Sequence, residues 1–526
     1  MTFLIRTLLS SASGLGNYWI SVISNGPTNF VDIKESTSGL IYCAGSIPFN
    51  TGGLYPSPLA YLTTLNSDGT LNSAFSFASG GVGGGTLYAF QRIVLASSTN
   101  ILGVMGTADS GQKTALISID MPTAVLNYQT QLGDSLFEST SSARSIATDS
   151  SGNIYICGRD YEYYPTTDDS AFIYKYDSSG APVDYNTFGS IGFTDYTSAQ
   201  DIAVDPSSHV YVTGQSDRVG FVAKFNAIGS PPAFQKFITP TAGIAYGVAI
   251  AVDSSGNSYV AALLNPAYPS LEYSTLLCKF DSSGTIVWQR QLTQSPTSGN
   301  SPADIALDSS GDPYLLINYS NSQLSGESGI AIVKYDSSGS LIWQTQITSS
   351  QIVTNGPFPI TSVSTAANVV TYHYTVGTVP ASAAGWTFLA SGFLTAGFNG
   401  TFTILSSTNT TIDVSSPVTG PSSIGTVLFN VPVVLTASKM MIDSSGYMFI
   451  SGDNGQGSPI AIRLDIFNSV LGTFNYYNFA PATLIDSAGT ATFPGMSYVA
   501  SIAPTVSMSG ISDGVSQTPT ATIIAI

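Results

Sequence analysis

Along most of the chain, apolar residues alternate with polar ones at the two-residue period of half-buried strands. The runs come in pairs around a short turn. Five such pairs read DIAVDPSSHVYVTG from Asp201, AIAVDSSGNSYVA from Ala249, DIALDSSGDPYLL from Asp304, SIATDSSGNIYICG from Ser145 and KMMIDSSGYMFISG from Lys439. A second kind of hairpin reads FIYKYDSSGAPV from Phe172, FVAKFNAIGSPP from Phe221, LLCKFDSSGTIVWQRQL from Leu276 and AIVKYDSSGSLIWQTQI from Ala331. The two hairpins together make one repeat of four antiparallel strands, a, b, c and d.

The strand-a core residues Ile33, Ile93, Ile146, Ile202, Ile250 and Ile305 lie 60, 53, 56, 48 and 55 residues apart, and Met440 follows after 135. Four strands recurring at such a period predict an all-β propeller of four-stranded antiparallel blades. The long gap is one repeat plus an insertion, about Val353–Thr436, whose segments VVTYHYTV, GWTFLAS, GTFTILSS and TTIDVSS alternate like a small β-sandwich. SYVASIAPTVSMSGIS from Ser497 and the final TATIIAI match strands a to c of a further blade, while Trp19–Ile23 resembles a strand d. The N-terminal strand is therefore expected to complete the last blade and remove two open edges. The count is eight blades, or seven if the weak unit near Arg92 or the C-terminal unit is misread. The expected divisions are a docking segment at 1–16, propeller at 17–352, inserted domain at 353–436 and propeller again at 437–526.

The repeated residues read first as structure. Asp opens each DSSG turn by capping it, and Gly accepts the positive φ. A calcium loop would supply several carboxylates at alternating positions, and each turn has one. Lys175, Lys224, Lys279, Lys334 and Arg463 share one strand-c position, so five of the 15 cations occupy one repeated site. Between packed blades such a cation pairs with an Asp or a carbonyl, its stem lying on apolar surface. Cys43, Cys157 and Cys278 fall inside strands with no CxxC spacing, which suits small buried hydrophobes. Neither His209 nor His373 sits in a nucleophile motif, no GxSxG or HExxH occurs, and Asp168-Asp169 reads as a solvated loop tip. Gly80–Gly85 is glycine-rich, but no helix N-terminus follows it. No cofactor, metal or catalytic residue is expected.

Propeller topology puts the a–b and c–d turns on one uniform face and the b–c and d–a loops on the other. The long loops carry the candidate binding residues Phe49, Tyr55, Tyr161, Tyr163, Tyr164, Tyr196, Tyr268, Tyr273 and Tyr319. Tyr on rigidly held loops buries area at low entropic cost, which suits glycan or protein recognition. The insertion projects from this same face, and residues 1–16 emerge on the uniform one.

Composition narrows the classes. Charged residues make 9% of the chain, against roughly 25% in an ordinary soluble domain. A net charge of −17 argues against nucleic acid, whose phosphates call for clustered Lys or Arg. No run approaches the roughly 18 apolar residues of a membrane span. The opening MTFLIRTLLSSASG carries Arg6 inside its apolar stretch, so a cleaved export signal is not expected.

DIAVDxSGNxYVTG followed by FVxKYDSSGxxxWxxxL resembles the SBBP-type β-propeller repeat of bacterial surface proteins and tailed-phage structural proteins. The match spans roughly 17–350 and 437–526. The insertion, in GFxTAGFNGTFTILSST, resembles small β-domains of phage fibre and virion proteins. The resemblance implies a propeller scaffold and brings no catalytic residues. The expectation is a non-enzymatic virion component (tail fibre, baseplate-associated or capsid-decorating protein) whose partners are other virion proteins and, through the loop face, a host-surface glycan or receptor. The alternative is a secreted or cell-surface propeller lectin or glycan-processing enzyme.

Overall fold

The computed structural model describes residues 3–8, 19–24, 29–49, 57–77, 88–107, 114–121, 123, 125–132, 140–161, 169–188, 196–240, 243–265, 273–293, 298–321, 329–349, 352–374, 387–408, 410–418, 425–432, 434–454, 459–465, 472–474, 477–481 and 485–488. Seven four-stranded antiparallel blades form a ring. Their first strands are Asn29–Glu35, Tyr88–Leu95, Thr140–Thr148, Thr197–Val204, Ile244–Val252, Ser298–Leu307 and Thr436–Ile442, and each packs against the next around the axis.

Closure comes one blade earlier than the count of eight. Trp19–Ser24 pairs with Pro459–Asp465, so the N-terminal strand is strand d of blade seven. The weak unit at Arg92 is a true blade, Tyr88–Leu95 through Val125–Leu132. The described residues after Asp465 add strands outside the blades. Tyr477–Pro481 pairs with the outer strand of blade six, Leu341–Ser349, and Ile485–Ala488 with that of blade five, Ile286–Thr293. Phe3–Leu8 likewise pairs outside Trp19–Ser24 on blade seven. The unit from Ser497 lies outside the described residues.

Each DSSG turn closes by one repeated set of bonds. In the turn at Asp149, one carboxylate oxygen accepts the backbone N–H of Ser151 and Asn153, each at 2.9 Å, and the other accepts Asn153 Nδ2 and the Tyr155 hydroxyl. Gly152 donates back to the Asp149 carbonyl at a φ of 80°. His209 fills the Asn position in the variant turn DPSSH, its Nδ1 2.8 Å from Asp205 Oδ2, while Ser208 takes the left-handed backbone with φ 63°. The turns are thus set locally, as Asx-turn chemistry predicts.

The core lies between blades. Ile173, Val212, Phe221 and Ala223 join blades three and four, and Tyr211, Val222, Val260 and Leu276 join blades four and five. Both faces of a blade are buried in this way, so strand positions have little room for charge. A fully buried Ile or Phe contributes about 1.5–3 kcal/mol, far above the roughly 0–1 kcal/mol of an exposed ion pair. This explains how a chain so poor in charge holds a large ring.

The insertion is a closed barrel of six strands in place of the expected sandwich. Ile352–Ala366 runs through both sides of the closure, pairing with Val369–Tyr374 and with Gly425–Pro432. Tyr372, Phe388, Phe393 and Phe398 fill its interior. Of the residues from Ile352 to Pro432 only Asp413 is acidic and none is Lys or Arg. Thr371 and Ser406 donate hydroxyls to that carboxylate. No helix among the described residues is long and apolar enough to cross a membrane.

Candidate functional site

The innermost strand of every blade carries a one-residue bulge, and the residue after it occupies one equivalent place around the axis: Asp32, Arg92, Ser145, Asp201, Ala249, Asp304 and Lys439. A bulge re-aims the side chain that follows it, and four of these, Ser145, Asp201, Asp304 and Lys439, meet. Lys439 Nζ is 2.7 Å from Asp304 Oδ1 and 3.2 Å from Asp201 Oδ2. Asp304 belongs to the neighbouring blade six, but Asp201 belongs to blade four, across the ring. The lysine side chain therefore crosses the axis at this level.

The carboxylates also stitch neighbours together. Asp32 accepts the N–H of Ile93 at 3.0 Å, Asp201 that of Ile250 at 3.1 Å, and Asp304 that of Met440 at 2.8 Å. In each case the donor is the core residue of the next blade. Ser145 donates its hydroxyl to Asp201 at 2.6 Å, and Lys34 pairs with Asp32 at 2.9 Å. Burial would push the Asp201 carboxyl up, but Lys439, Arg92 and the Ser145 hydroxyl hold it below the ordinary carboxylate range. Burial raises Asp304, with the ammonium opposing and Asp201 adding to the rise. Burial opposes the charge on Lys439, yet the two aspartates raise its value. The set is an ionic rivet in which one ammonium serves two carboxylates, whose remaining oxygen positions accept backbone N–H and hydroxyl donors.

Three of the five repeated strand-c cations form a second inter-blade system. Lys224 and Lys279 donate to the carbonyls of Ser282 and Ser337 in the following blade, at 3.2 and 2.9 Å. Their ammoniums stand 5.1 and 4.9 Å from the rings of Tyr211 and Tyr259. Arg463 does the same across the closure, donating to the Ser67 carbonyl at 3.0 Å with its guanidinium 3.8 Å from the Tyr447 ring. Lys334 is tied to Asp308 at 3.1 Å. Cys43, Cys157 and Cys278 are buried free thiols whose values burial pushes up.

On the loop face, Tyr55, Tyr163, Tyr164 and Tyr268 lie outside the described residues. Phe49 and Tyr161 end the b strands Ile41–Phe49 and Ile154–Tyr161. Tyr196 is half-buried beneath the Arg159 guanidinium, 4.1 Å from its ring centre. Tyr273 is 39% exposed. Tyr319 is a correction: it is 6% exposed and packs with Ile317 and Tyr335, because strand b of blade six runs on to Asn321. The axial set was missed as a site. Its signal was a polar or charged residue directly before the core Ile or Met in six of seven repeats, in a chain with few charges to place.

The profile of the SBBP β-propeller repeat matches residues 127–159, which run from the outer strand of blade two through the first hairpin of blade three. The chain is a β-propeller repeat protein. No curated protein matches it in sequence. Among solved structures, the Dos1 propeller aligns at 9% identity with a TM-score of 0.39, over 84% of this chain and 93% of that one. A putative 6-phosphogluconolactonase from Bacteroides uniformis aligns at 11% identity and 0.37, over 65% and 94%. An ulvan lyase bound to its glucuronate-rhamnose sulfate ligand aligns at 9% and 0.32, over 68% and 89%.

Proposed function

We propose that this propeller is a non-enzymatic structural component of a tailed-phage particle, a fibre, baseplate-associated or capsid-decorating protein that meets its surroundings through the loop face and the barrel. The observation that carries the scaffold part of the reading is the rivet. Lys439 spans the axis to Asp201 and Asp304, so the centre of the ring is built to hold blades together. Three of the cations repeated in strand c, Lys224, Lys279 and Arg463, are engaged in the same way. What is left for recognition is the outward surface. There, Tyr273 is exposed and the barrel presents Thr and Ser such as Thr361, Ser362, Thr401 and Thr403 on its outside. Neutral hydroxyl and aromatic groups of this kind suit a glycan or a protein surface better than a polyanion.

The particle assignment rests on the sequence resemblance to phage structural repeats. It is tested by mass spectrometry of gradient-purified particles from a host carrying the gene. The expected result is the chain at a fixed stoichiometric ratio to the major virion proteins. Its presence only in the culture fluid or on the cell surface would overturn the reading. Depolymerisation of a polysaccharide by the purified protein would instead favour the glycan-processing alternative. Residues 1–16 are the proposed docking segment, and their removal, which takes away the edge strand Phe3–Leu8, is expected to abolish incorporation.

A further inference from the structure

The rim of the uniform face carries apolar side chains that the fold does not call for. In strand d of blades three, five and six a one-residue bulge follows the c–d turn, and the residues left out of the ladder are Val183, Val287 and Ile342. A bulged residue has no cross-strand partner to pack on, and these three are 50, 54 and 48% exposed. Blade one has the same bulge and fills it with an exposed Asn72, so neither turn nor ladder requires an apolar residue there. Val125 and Leu341, the first residues of strand d in blades two and six, are exposed at the same level. Blade four presents Pro231 and Ala233 just before its strand d. The apolar rim thus spans five consecutive blades.

Among the described residues, no strand covers it. The added strands Ile485–Ala488 and Tyr477–Pro481 pair with Arg290–Thr293 and Thr345–Ser349, the ends of strand d away from the turns. The charge beside the rim is of one sign. The turns of this face at 66–70, 149–153, 177–181, 205–209, 253–257, 281–285, 308–312, 336–340 and 443–446 hold ten Asp and no Lys or Arg. Cations close to them are engaged within the ring: Lys224 and Lys279 donate to turn carbonyls and Lys334 to Asp308. A second copy meeting this face with its own would set Asp against Asp, whereas a basic surface meets it with complementary potential. An exposed apolar patch bordered by polar groups is the usual mark of a contact surface. We propose that the rim of Val183, Val287 and Ile342 docks a basic protein surface, whose apolar side chains cover the rim while its Lys and Arg side chains face the carboxylates of the turns. The proposal rests on the particle reading, under which that partner is a neighbouring virion protein.

The test uses gradient-purified particles from a host carrying the gene, with the wild-type chain or with Val183→Asn, Val287→Asn and Ile342→Asn combined. Asparagine is the residue of blade one at this bulge, so the variant is matched to the fold, and an unchanged thermal midpoint of the purified chain checks this. The expected result is incorporation reduced several-fold, while Leu394→Asn on the barrel, another exposed apolar position, incorporates as the wild type does. Wild-type particles are also treated with a carbodiimide, which joins a carboxylate to a touching amine as an amide and itself takes up the water lost. Asp177, Asp281 and Asp336 should be found linked to lysines of one other virion protein. Absence of the wild-type chain from particles would overturn the particle reading and the docking with it. Presence of the chain with the triple variant incorporated normally, or with these carboxylates linked only to a second copy or to nothing, would overturn the docking alone.

Discussion

Replacing Lys439 by methionine keeps a straight stem and removes the ammonium from the axis. Asp201 and Asp304 then lose contacts of 3.2 and 2.7 Å and are left with backbone and hydroxyl donors. Removing one member of a buried ion pair costs about 3–5 kcal/mol. Each carboxylate keeps an N–H from the next blade, and Asp201 keeps Ser145, so the lower end, about 3 kcal/mol, is expected. At roughly 2.1 cal/mol/K per residue, a cooperative ring of about 360 residues unfolds with an entropy near 0.8 kcal/mol/K, which makes the expected fall in Tm about 4 °C. Scanning calorimetry at about pH 7 reads it directly. Without the ammonium, the rise that burial gives Asp304 is unopposed by Lys439 and Asp201 loses the largest influence that lowers it, so the deficit should narrow toward about pH 4 as the carboxyls protonate. The triple variant Lys439→Met, Asp201→Asn, Asp304→Asn should recover most of the loss. A single variant within about 1 °C of wild type at both pH values would refute the rivet, as would a triple variant no better than the single one.

Glycine at two equivalent turn positions should separate backbone strain from packing. A Cβ on Gly339, φ 83°, would meet Trp288 at 2.7 Å, whereas one on Gly311, φ 79°, meets nothing within 4 Å. Gly311→Ala should cost about 1 kcal/mol for the left-handed backbone and Gly339→Ala about 2–3 kcal/mol, read as a larger drop in urea midpoint. Acid should act through the turns. Side-chain hydroxyls of Ser179, Ser283 and Ser338 hold Asp177, Asp281 and Asp336 low, and at Asp149 and Asp205 hydrogen bonds outweigh burial to do the same. Depressed folded values give stability that is present above the ordinary Asp value of about 3.9 and lost as pH falls below it, so replacing all five by Asn should flatten that loss in an acid titration followed by near-UV circular dichroism. The three buried cysteines should resist a thiol reagent in the native protein and react fully in denaturant; fast native labelling would contradict their burial.

Much of this was legible in the sequence because propeller blades are locally encoded. The Asp of each DSSG turn bonds residues two and four positions ahead, so the turn and the flanking strands can be read without knowing the ring. The strand-c cations were legible for the same reason, since their position recurs. Closure was not local. Trp19–Ser24 looks like any strand d, and only pairing with Pro459–Asp465 shows which blade it completes. Alternating segments after Asp465 resemble blade strands, yet Tyr477–Pro481 and Ile485–Ala488 pair on outer edges. A sandwich and a barrel share one alternation, and closure of the first strand onto two partners distinguishes them. The axial site was hidden because its members are about 50 residues apart and differ in type. Lys439 and Asp201 pair across 238 residues, which no repeat spacing reveals.

The proposed function makes the ring a riveted scaffold and the loop face its working surface. Electron cryomicroscopy of the assembled particle tests this most directly. The expected map shows seven blades around a centre filled by Lys439, Asp201 and Asp304, with the loop face and barrel turned away from the particle. A ring whose loop face is buried against the particle, or whose axis opens to hold a ligand in place of Lys439, would contradict it.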